Sequence, residues 1–334
     1  MKICDRTLSC LDGYFPSGRQ LQSLVQLFFQ CGADRLELSE EAYRTMGKLP
    51  DTSSFVLRIR RPEYADRYPE FDSFICEYNP YGDRRIRTEI HVRDNESMTC
   101  LLHSGIGKNS GEKLRLTGWD DLFRFPVESS LQRLKSCLAA ETEFCPGNSL
   151  KCGSAAAVEW IHADAGDTIV TSFGGIGGFA PFEQVLTAMR KFYGRRPEEN
   201  YPALPRIRDL MEKITGKKSD IRQPVTGRGI FTVESGIHVS GILKYPGCYE
   251  PFPPESVGMK RKFTYGRFSG RDAIRHKLDE LGISASAEEL REITQQVKRT
   301  SRRKNRSLSD DEVRETAEYI KSGRDLYGET QIDR

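Results

Sequence analysis

The residues best suited to chemistry stand in the stretch 229–252, which carries a single histidine, His238, and a Tyr-Glu-Pro-Phe segment that begins at Tyr249. Gly236 and Gly241 flank the histidine and permit sharp backbone bends, and the prolines that follow cannot continue a helix. The pattern predicts that an irregular, kinked segment presents His238, as loops often present functional side chains. A second interpretation stays open, since an isolated buried histidine usually makes structural hydrogen bonds.

Nine cysteines supply the other reactive side chains, and they are scattered along the chain without a Cys-x-x-Cys pair. An odd number without such spacing is typical of a reducing compartment and not of a disulfide framework. Residues 1–5 enter a strand pattern at once and lack the apolar core of a signal peptide. No apolar run approaches the ~20 residues of a membrane span. We therefore expect a cytoplasmic protein without a membrane partner.

The net charge is only +3, with 37% hydrophobic and 30% charged residues, so no overall field attracts the chain to nucleic acid or membrane. The segment 298–306 is locally basic, but it contains no aromatic residue on which a base could stack. We expect a solvated helix end and loop there, and no nucleic-acid partner.

Short segments of strand character alternate with helical patterns over the first part of the chain. The predicted strands cover residues 2–8, 35–38, 55–59, 73–77, 87–92, 113–116, 143–145 and 168–171. Such alternation indicates a parallel sheet with crossover helices. About eight units in ~200 residues fit a compact (β/α)8 TIM barrel in which some helices are short. The predicted fold class is therefore α/β.

Three domains are predicted along the chain. The barrel covers residues 1–200, and a linker or lid subdomain rich in proline and glycine covers 201–260. A small α-helical subdomain covers 261–334, with two amphipathic helices at 287–297 and 310–320.

The stretch 229–252 and the residues after it resemble the linker of the homocitrate synthase and 2-isopropylmalate synthase family. The matching residues are Phe231-Thr232, Gly236-Ile237-His238, Gly241-Ile242-Leu243-Lys244, Pro246, Tyr249-Glu250-Pro251-Phe252, Pro254-Glu255, Val257-Gly258, Ser269-Gly270-Arg271 and Lys277-Leu278-Asp279-Glu280-Leu281-Gly282. The N-terminal part resembles the family more loosely, at residues 3–8, 32–38 and 168–189. The resemblance implies a TIM barrel followed by a linker subdomain.

The resemblance also implies an acyltransferase that condenses acetyl-CoA with a small 2-oxo acid. In the family a divalent metal at the barrel mouth polarises the oxo group, and an arginine stabilises the oxyanion. The matching positions differ here: Ser9 replaces the arginine, and Cys10, Cys145, Gly147 and Thr171 replace the metal ligands. We therefore predict no metal site, although the family's reaction requires a divalent ion.

Other chemistry at these positions stays open. Cys10 and Cys145, expected on neighbouring strands, could hold a soft metal, but ordinary reduced cysteines are far more common where no further Cys or His stands at ligand spacing. A shift of the alignment by two residues would supply an acid from Asp5 or Asp12 without restoring the histidines. Glycines at 174–178 look like a phosphate-binding loop but lack the Lys-Ser/Thr of a P-loop.

The linker, by contrast, keeps His238 and Tyr249, the positions that in the family act on acetyl-CoA, and these are the predicted catalytic residues. Two other family histidines are Val233 and Phe268 here. In the family the linker reaches over the barrel of the neighbouring subunit. We therefore predict a homodimer, or a heterodimer in which this chain supplies His238 to a catalytic paralogue.

Three functions are compatible with these observations. The favoured one is a subunit of a catalytic paralogue that is impaired alone. The alternatives are a pseudoenzyme that senses a metabolite or acyl-CoA, and an active acyltransferase with an altered site. The identity of the 2-oxo acid is not indicated, because the residues at the barrel mouth are the divergent ones.

Overall fold

Eight parallel strands close into a barrel in chain order, and the last strand pairs with the first. The structure, a computed structural model, describes residues 2–47, 49, 51–109, 111–194 and 200–322. The strands are β1 (Lys2–Asp5), β2 (Arg35–Ser39), β3 (Phe55–Arg58), β4 (Phe74–Cys76), β5 (Ile86–Val92), β6 (Lys113–Gly118), β7 (Glu141–Pro146) and β8 (Thr168–Thr171). Each predicted strand is present, so the predicted TIM barrel is confirmed.

Helices of uneven length connect the strands. They are α1 (Gly18–Cys31), α2 (Glu40–Met46), α3 (Asn95–Ser104), α4 (Val127–Cys137), α5 (Gly153–His162), α6 (Phe182–Tyr193) and α7 (Leu204–Thr215). α1 begins at a capping box formed by Ser17 and Gln20 and ends at Gly32, whose φ of 104° glycine adopts readily. A 3-10 turn, Pro62–Arg67, replaces a helix between β3 and β4, and residues 77–85 join β4 to β5 without one. The expectation of short helices is confirmed.

The chain divides into two compact units, Met1–Arg228 and Gly229–Arg334, which we call the barrel unit and the C-terminal unit. Helix α7 packs against α1 and belongs to the barrel unit, although it lies within the predicted linker. The predicted boundaries after residues 200 and 260 stay predictions. Residues 323–334 of the predicted third domain lie outside the described residues.

The described part of the C-terminal unit contains four helices and a small parallel sheet. The elements are α8 (Gly236–Lys244), α9 (Arg271–Glu280), α10 (Ala287–Lys304), α11 (Asp310–Lys321), β9 (Thr232–Val233) and β10 (Lys262–Phe263). One apolar core joins the four helices, and capping boxes at Ser286 and Ser309 start α10 and α11. Both predicted C-terminal helices are confirmed. No helix in the described parts of the two units is long and apolar enough to cross a membrane.

Ion pairs run through the barrel wall, and most of their members are buried, although Glu141 is exposed. The positive members are Arg6, Arg58, Arg87 and Arg115, and the negative members are Glu37, Glu89, Glu141 and Glu143. We call these eight residues the barrel charge cluster. Strand residues two positions apart share a face, so Arg87 and Glu89 on β5 reach the same side of the barrel wall. The four positive charges match the four negative charges.

Arg115 is the most deeply buried arginine of this cluster. Its side chain has no exposed surface, and it binds both Glu37 and Glu143, the latter at 2.9 Å. Burial alone would raise the pKa of Glu37, but Arg58, Arg115 and Arg6 outweigh burial and hold that pKa well below its usual range. Each charge is therefore tolerated inside the barrel only because its partners are present.

Replacing Arg115 with methionine should lower the free energy of unfolding by about 3–5 kcal/mol, because Glu37 and Glu143 would each lose a buried partner. Urea unfolding followed by circular dichroism measures the change. The matched control is Lys113→Met on the same strand, since Lys113 is only half-buried and makes no ion pair within 4.0 Å among the described residues. The control should cost less than about 1 kcal/mol; equal losses in the two variants would contradict a dependence on the cluster.

Candidate functional site

Arg6 occupies the mouth of the barrel at the end of β1. Its Nη1 donates to Cys145 Sγ at 3.4 Å and to Glu89 Oε1 at 3.3 Å. Its guanidinium carbon lies 4.1 Å from the centre of the Phe179 ring, a cation–π contact. The Arg6 side chain is only 10% exposed. A permanently charged group therefore stands beside the residues that replace the family's metal ligands.

Cys10 and Cys145 both lie close to Arg6, but they are not on neighbouring strands as predicted. Cys145 is in β7, Cys10 is in the turn after β1, and β8 lies between those strands. Burial raises the pKa of the Cys10 thiol to about 11 and raises that of Cys145 as well, although Arg6 opposes both shifts. Both side chains are therefore thiols at neutral pH, whereas metals bind thiolates.

Neighbouring side chains close the other two ligand positions. A Cβ atom on Gly147 would lie 2.4 Å from Asp120 Oδ1, so a histidine fits there only if that carboxylate moves. Thr171 Oγ1 donates to Asp5 Oδ2 at 3.1 Å, and Asp5 Oδ1 accepts the amide of Thr7 at 2.9 Å. Asp5 is fully buried and its carboxylate is occupied by these two donors.

The remaining candidates do not rebuild a metal site. Ser9, at the position of the family's arginine, donates its hydroxyl to Glu37 at 2.7 Å. Asp12, the alternative acid, accepts the hydroxyl of Ser39 at 2.5 Å. Within the described ranges, no three or more His, Cys, Asp or Glu residues are placed to hold a metal ion. The residues at this mouth do not fit the divalent metal of the family.

The glycine loop after β8 is bound to the protein's own carboxylate. Gly174 and Gly175 have positive φ angles of 62° and 73°. The Gly174 amide donates to Glu183 Oε2 at 2.9 Å, and Glu183 Oε1 accepts from Gln223 at 3.0 Å. Glu183 is fully buried. Its carboxylate occupies the position that an anion would take at the Gly174 amide.

His238 and Tyr249, the predicted catalytic residues, lie side by side in the C-terminal unit. Their ring centroids are 5.7 Å apart, the rings meet at 64°, and both side chains are exposed. His238 stands in the first turn of helix α8, so the prediction of an irregular, kinked segment is wrong. The helix forms because Val239 and Ile242 bury one of its faces, and this packing outweighs the low helix propensity of its glycines.

Gly236 and Gly241 allow close packing of α8, which is a different role from the predicted bending. A Cβ atom on Gly241 would lie 2.3 Å from the ring of Tyr249. A Cβ atom on Gly236 would lie 2.3 Å from the amide nitrogen of Gly270. Tyr249 therefore rests directly on the backbone of α8, about one turn after His238.

Comparison with known proteins shows which families and proteins the chain is similar to. Residues 225–305 match the family described as "Homocitrate synthase post-HMGL domain-like". The homocitrate synthase omega subunit of Clostridium pasteurianum is 24% identical over 96% of this chain and 96% of its own. Homocitrate synthase 1 of Nostoc sp. is 31% identical over 57% of this chain and 51% of its own. The family model and these relatives support the homocitrate synthase and 2-isopropylmalate synthase family for this chain.

Further relatives match over shorter parts of their length. A protein of Methanopyrus kandleri named "Probable 2-isopropylmalate synthase" is 37% identical over 43% of this chain and 29% of its own. The chain thus spans about half or less of this relative and the Nostoc synthase. A solved HMG-CoA lyase from Acinetobacter baumannii covers 66% of this chain and 92% of its own, with a TM-score of 0.51 and 11% identity, which shows the barrel fold.

The family is acetyl-CoA dependent and generally requires a metal. The family-matched segment 225–305 contains both His238 and Tyr249, whose catalytic roles stay predictions. Arg6 is the important residue that sequence reasoning missed. It stands in the motif Asp5-Arg6-Thr7-Leu8, at a position where the family that the chain resembles has threonine. A basic residue directly after a barrel strand indicates a positive charge at the barrel mouth, and this was the available signal.

Replacing Asp5 with asparagine should raise the free energy of unfolding relative to wild type, and this difference should grow as the pH rises from about 4 to about 7. Burial raises the pKa of Asp5 to about 7 from 3.8. The unfolded chain therefore ionises first, and the native protein loses stability across this window. Below about pH 4 both states hold the proton, so this benefit of the variant disappears there. Above about pH 7 it reaches about 4 kcal/mol.

Urea unfolding of wild type and variant across this pH range measures the difference. Asparagine keeps an oxygen that accepts from the Thr7 amide, and its NH2 group donates to the Thr171 hydroxyl, which reverses that hydrogen bond. The pH dependence of the difference, and not its size at one pH, therefore reports the charge. The matched control is Asp72→Asn, which removes an exposed carboxylate. A constant difference between Asp5→Asn and wild type at all pH values would contradict the role assigned to burial.

Proposed function

We propose that this chain is a subunit of a synthase of the homocitrate and 2-isopropylmalate family, and that it supplies His238 and Tyr249 to the acetyl-CoA site of a catalytic paralogue. One observation carries the proposal. The guanidinium of Arg6 stands 3.4 Å from Cys145 where the family's metal would bind, while the His238 and Tyr249 rings remain together and exposed.

The barrel of this chain lacks the means to activate a 2-oxo acid as the family does. A divalent metal would have to bind close to a guanidinium and two protonated thiols, and the like charges repel. Arg6, whose Nη1 donates to Glu89 and Cys145, does not replace the metal, because a guanidinium supplies no Lewis acid. Ser9 likewise offers only a hydroxyl, bound to Glu37, where the family has an arginine.

The C-terminal unit retains side chains that suit the other half of the reaction. Condensation requires removal of a proton from the methyl group of acetyl-CoA, and imidazole is the side chain that exchanges protons most readily near neutral pH. The centroid of the Tyr249 ring, which carries a hydroxyl group, lies 5.7 Å from the centroid of the His238 ring. The absence of a side chain at Gly241 leaves room for the Tyr249 ring. The pair could therefore act on a thioester that a partner's barrel holds.

The relatives support a partner subunit. The clostridial relative, which matches 96% of this chain, is named an omega subunit of homocitrate synthase, and the name implies a second subunit for that protein. For this chain we propose a paralogue that keeps the metal ligands, with a homodimer as the alternative, a small 2-oxo acid as substrate and a cytoplasmic location. An active altered site in this chain is less favoured, because the raised pKa values of Cys10 and Cys145 leave both as protonated thiols.

The test is a condensation assay with acetyl-CoA, a divalent metal and a panel of 2-oxo acids: 2-oxoglutarate, pyruvate and 2-oxoisovalerate. Free CoA is measured as thiol. The chain alone should give no metal-dependent turnover, and a mixture with a family synthase from the same organism should exceed the synthase alone. His238→Ala should reduce the additional turnover of the mixture by roughly a hundredfold or more, because a proton-transfer group is lost.

The matched control is His103→Ala, which removes an exposed histidine of the barrel unit and should leave the gain unchanged. Tyr249→Phe keeps the ring against Gly241 and removes only the hydroxyl, so it separates packing from chemistry. Turnover by the chain alone would show that its own barrel is active. A gain that survives His238→Ala would refute donation of this histidine.

A further inference from the structure

The ring of Tyr249 is 45% exposed and follows a single 3-10 turn, Pro246–Cys248, in the C-terminal unit. The amides of Tyr249 and Glu250 both donate to the carbonyl of Pro246 at 2.9 Å. These hydrogen bonds hold the backbone, whereas an exposed side chain at the end of a short turn has several rotamers open to it. The defined position of this ring, 5.7 Å from that of His238 between centroids, therefore needs support from outside the turn.

Glu250, the residue after Tyr249, makes a contact that supplies such support. Its carboxylate accepts two hydrogen bonds from Arg261, at 2.6 Å from Nε and at 2.8 Å from Nη2. This bidentate geometry adds direction as well as strength to an ion pair. The Glu250 side chain is only 7% exposed, so water weakens this pair less than it weakens a surface pair. Arg261 directly precedes β10, and the pair therefore ties the residue after Tyr249 to the small sheet.

Phe252 ties the same segment to the sheet at a second point. Its ring meets the ring of the buried Phe231 at 77°, with 5.8 Å between the centroids. The carbonyl of Phe231 accepts the amide of Lys262, the first residue of β10, at 3.0 Å. Pro251 lies between the two contacts and favours an extended backbone at Glu250. Residues 249–252 are thus anchored by an ion pair near one end and a ring contact at the other.

Gly241 is the surface on which the Tyr249 ring rests. The ring lies so close to this glycine that a Cβ atom there would be 2.3 Å away from it. Contact this close depends on the path of the backbone at residues 249 and 250, because an outward displacement would separate the ring from α8. The ring therefore stays beside His238 only while the backbone after it stays in place.

We propose that Arg261 is a positioning residue for the two predicted catalytic side chains. Its ion pair with Glu250 holds the Tyr249 ring against Gly241 and beside His238. Loss of the ion pair leaves the ring contact of Phe252 in place, so the segment stays folded while the Tyr249 ring loses its fixed position. The value of this position for catalysis rests on the function proposed above, whereas the position itself is a property of this chain alone.

NMR spectroscopy of the full chain with isotope-labelled histidine tests the position directly. Spectra are recorded at alkaline pH, where imidazoles are neutral, so that a shift reports position and not charge. His238→Ala identifies the His238 signal, and Tyr249→Leu shows how far that signal moves when the neighbouring ring is removed. Arg261→Met should move it by most of that amount. Arg261→Lys should move it less, because lysine keeps the charge without the planar fork.

The matched control is Arg306→Met, since Arg306 also forms a two-bond pair with a glutamate, Glu312, in the same unit. This variant should leave the His238 signal unchanged, and circular dichroism establishes that all variants are folded. A His238 signal that stays in place in Arg261→Met would overturn the proposal. Equal shifts in Arg261→Met and Arg306→Met would also overturn it, because they would show a general loss of structure.

The condensation assay with a family synthase adds a functional test. Arg261→Met should lower the kcat of the additional turnover by roughly tenfold to a hundredfold, the cost of displacing a catalytic group by about 1 Å. KM for the 2-oxo acid should stay unchanged, because that substrate binds in the paralogue's barrel. Additional turnover that depends on His238 but not on Arg261 would overturn the proposal. Additional turnover that survives His238→Ala would instead refute the proposed function, and the NMR spectra would then decide on Arg261.

Discussion

The balance of charge inside the barrel is the constraint on which the barrel unit depends. TIM-barrel interiors are usually packed with branched apolar side chains, whereas this one holds Arg115, Glu37 and Glu143 without access to water. An uncompensated charge in such a place costs a large part of the 5–15 kcal/mol or so by which domains are typically stable. The barrel charge cluster therefore restricts which side chains the strands can direct into the barrel interior. Arg6 extends the cluster to the barrel mouth.

Arg6 connects this packing to function. The same guanidinium that compensates Glu37 and Glu89 also lies against Cys145 and Phe179 at the mouth. Arg6 thus completes the charge balance of the barrel and also stands beside the positions where the family has its metal ligands. The C-terminal unit is under no such constraint, because its core is apolar and the His238 and Tyr249 rings lie on its surface. This contrast explains how one chain can keep the linker residues while the barrel mouth changes.

The fold could be predicted from the sequence because its signals are local. Strand-length segments alternate with helical patterns, and Ser309 followed by acidic residues marks the start of α11. The helix at His238 was missed because Gly236 and Gly241 suggest bends, whereas they make room for Gly270 and Tyr249, which are distant contacts. The sequence does contain a sign of the charge cluster, because Arg87 and Glu89, and Glu141 and Glu143, are each spaced two residues apart within a strand. The face of the sheet that these pairs occupy, however, depends on how the barrel closes.

The proximity of Asp120 to Gly147 also bears on which substitutions this barrel mouth accepts. A Cβ atom at 147 would lie 2.4 Å from the Asp120 carboxylate, so a mutation that introduces histidine there also has to displace Asp120. Removing Arg6 first would leave Glu37 and Glu89 short of positive charge before any metal could replace it. Each of these substitutions therefore disturbs existing contacts when it is made alone. A metal site of the family's kind would therefore require coordinated substitutions at Arg6, Gly147 and Asp120 and not a single change.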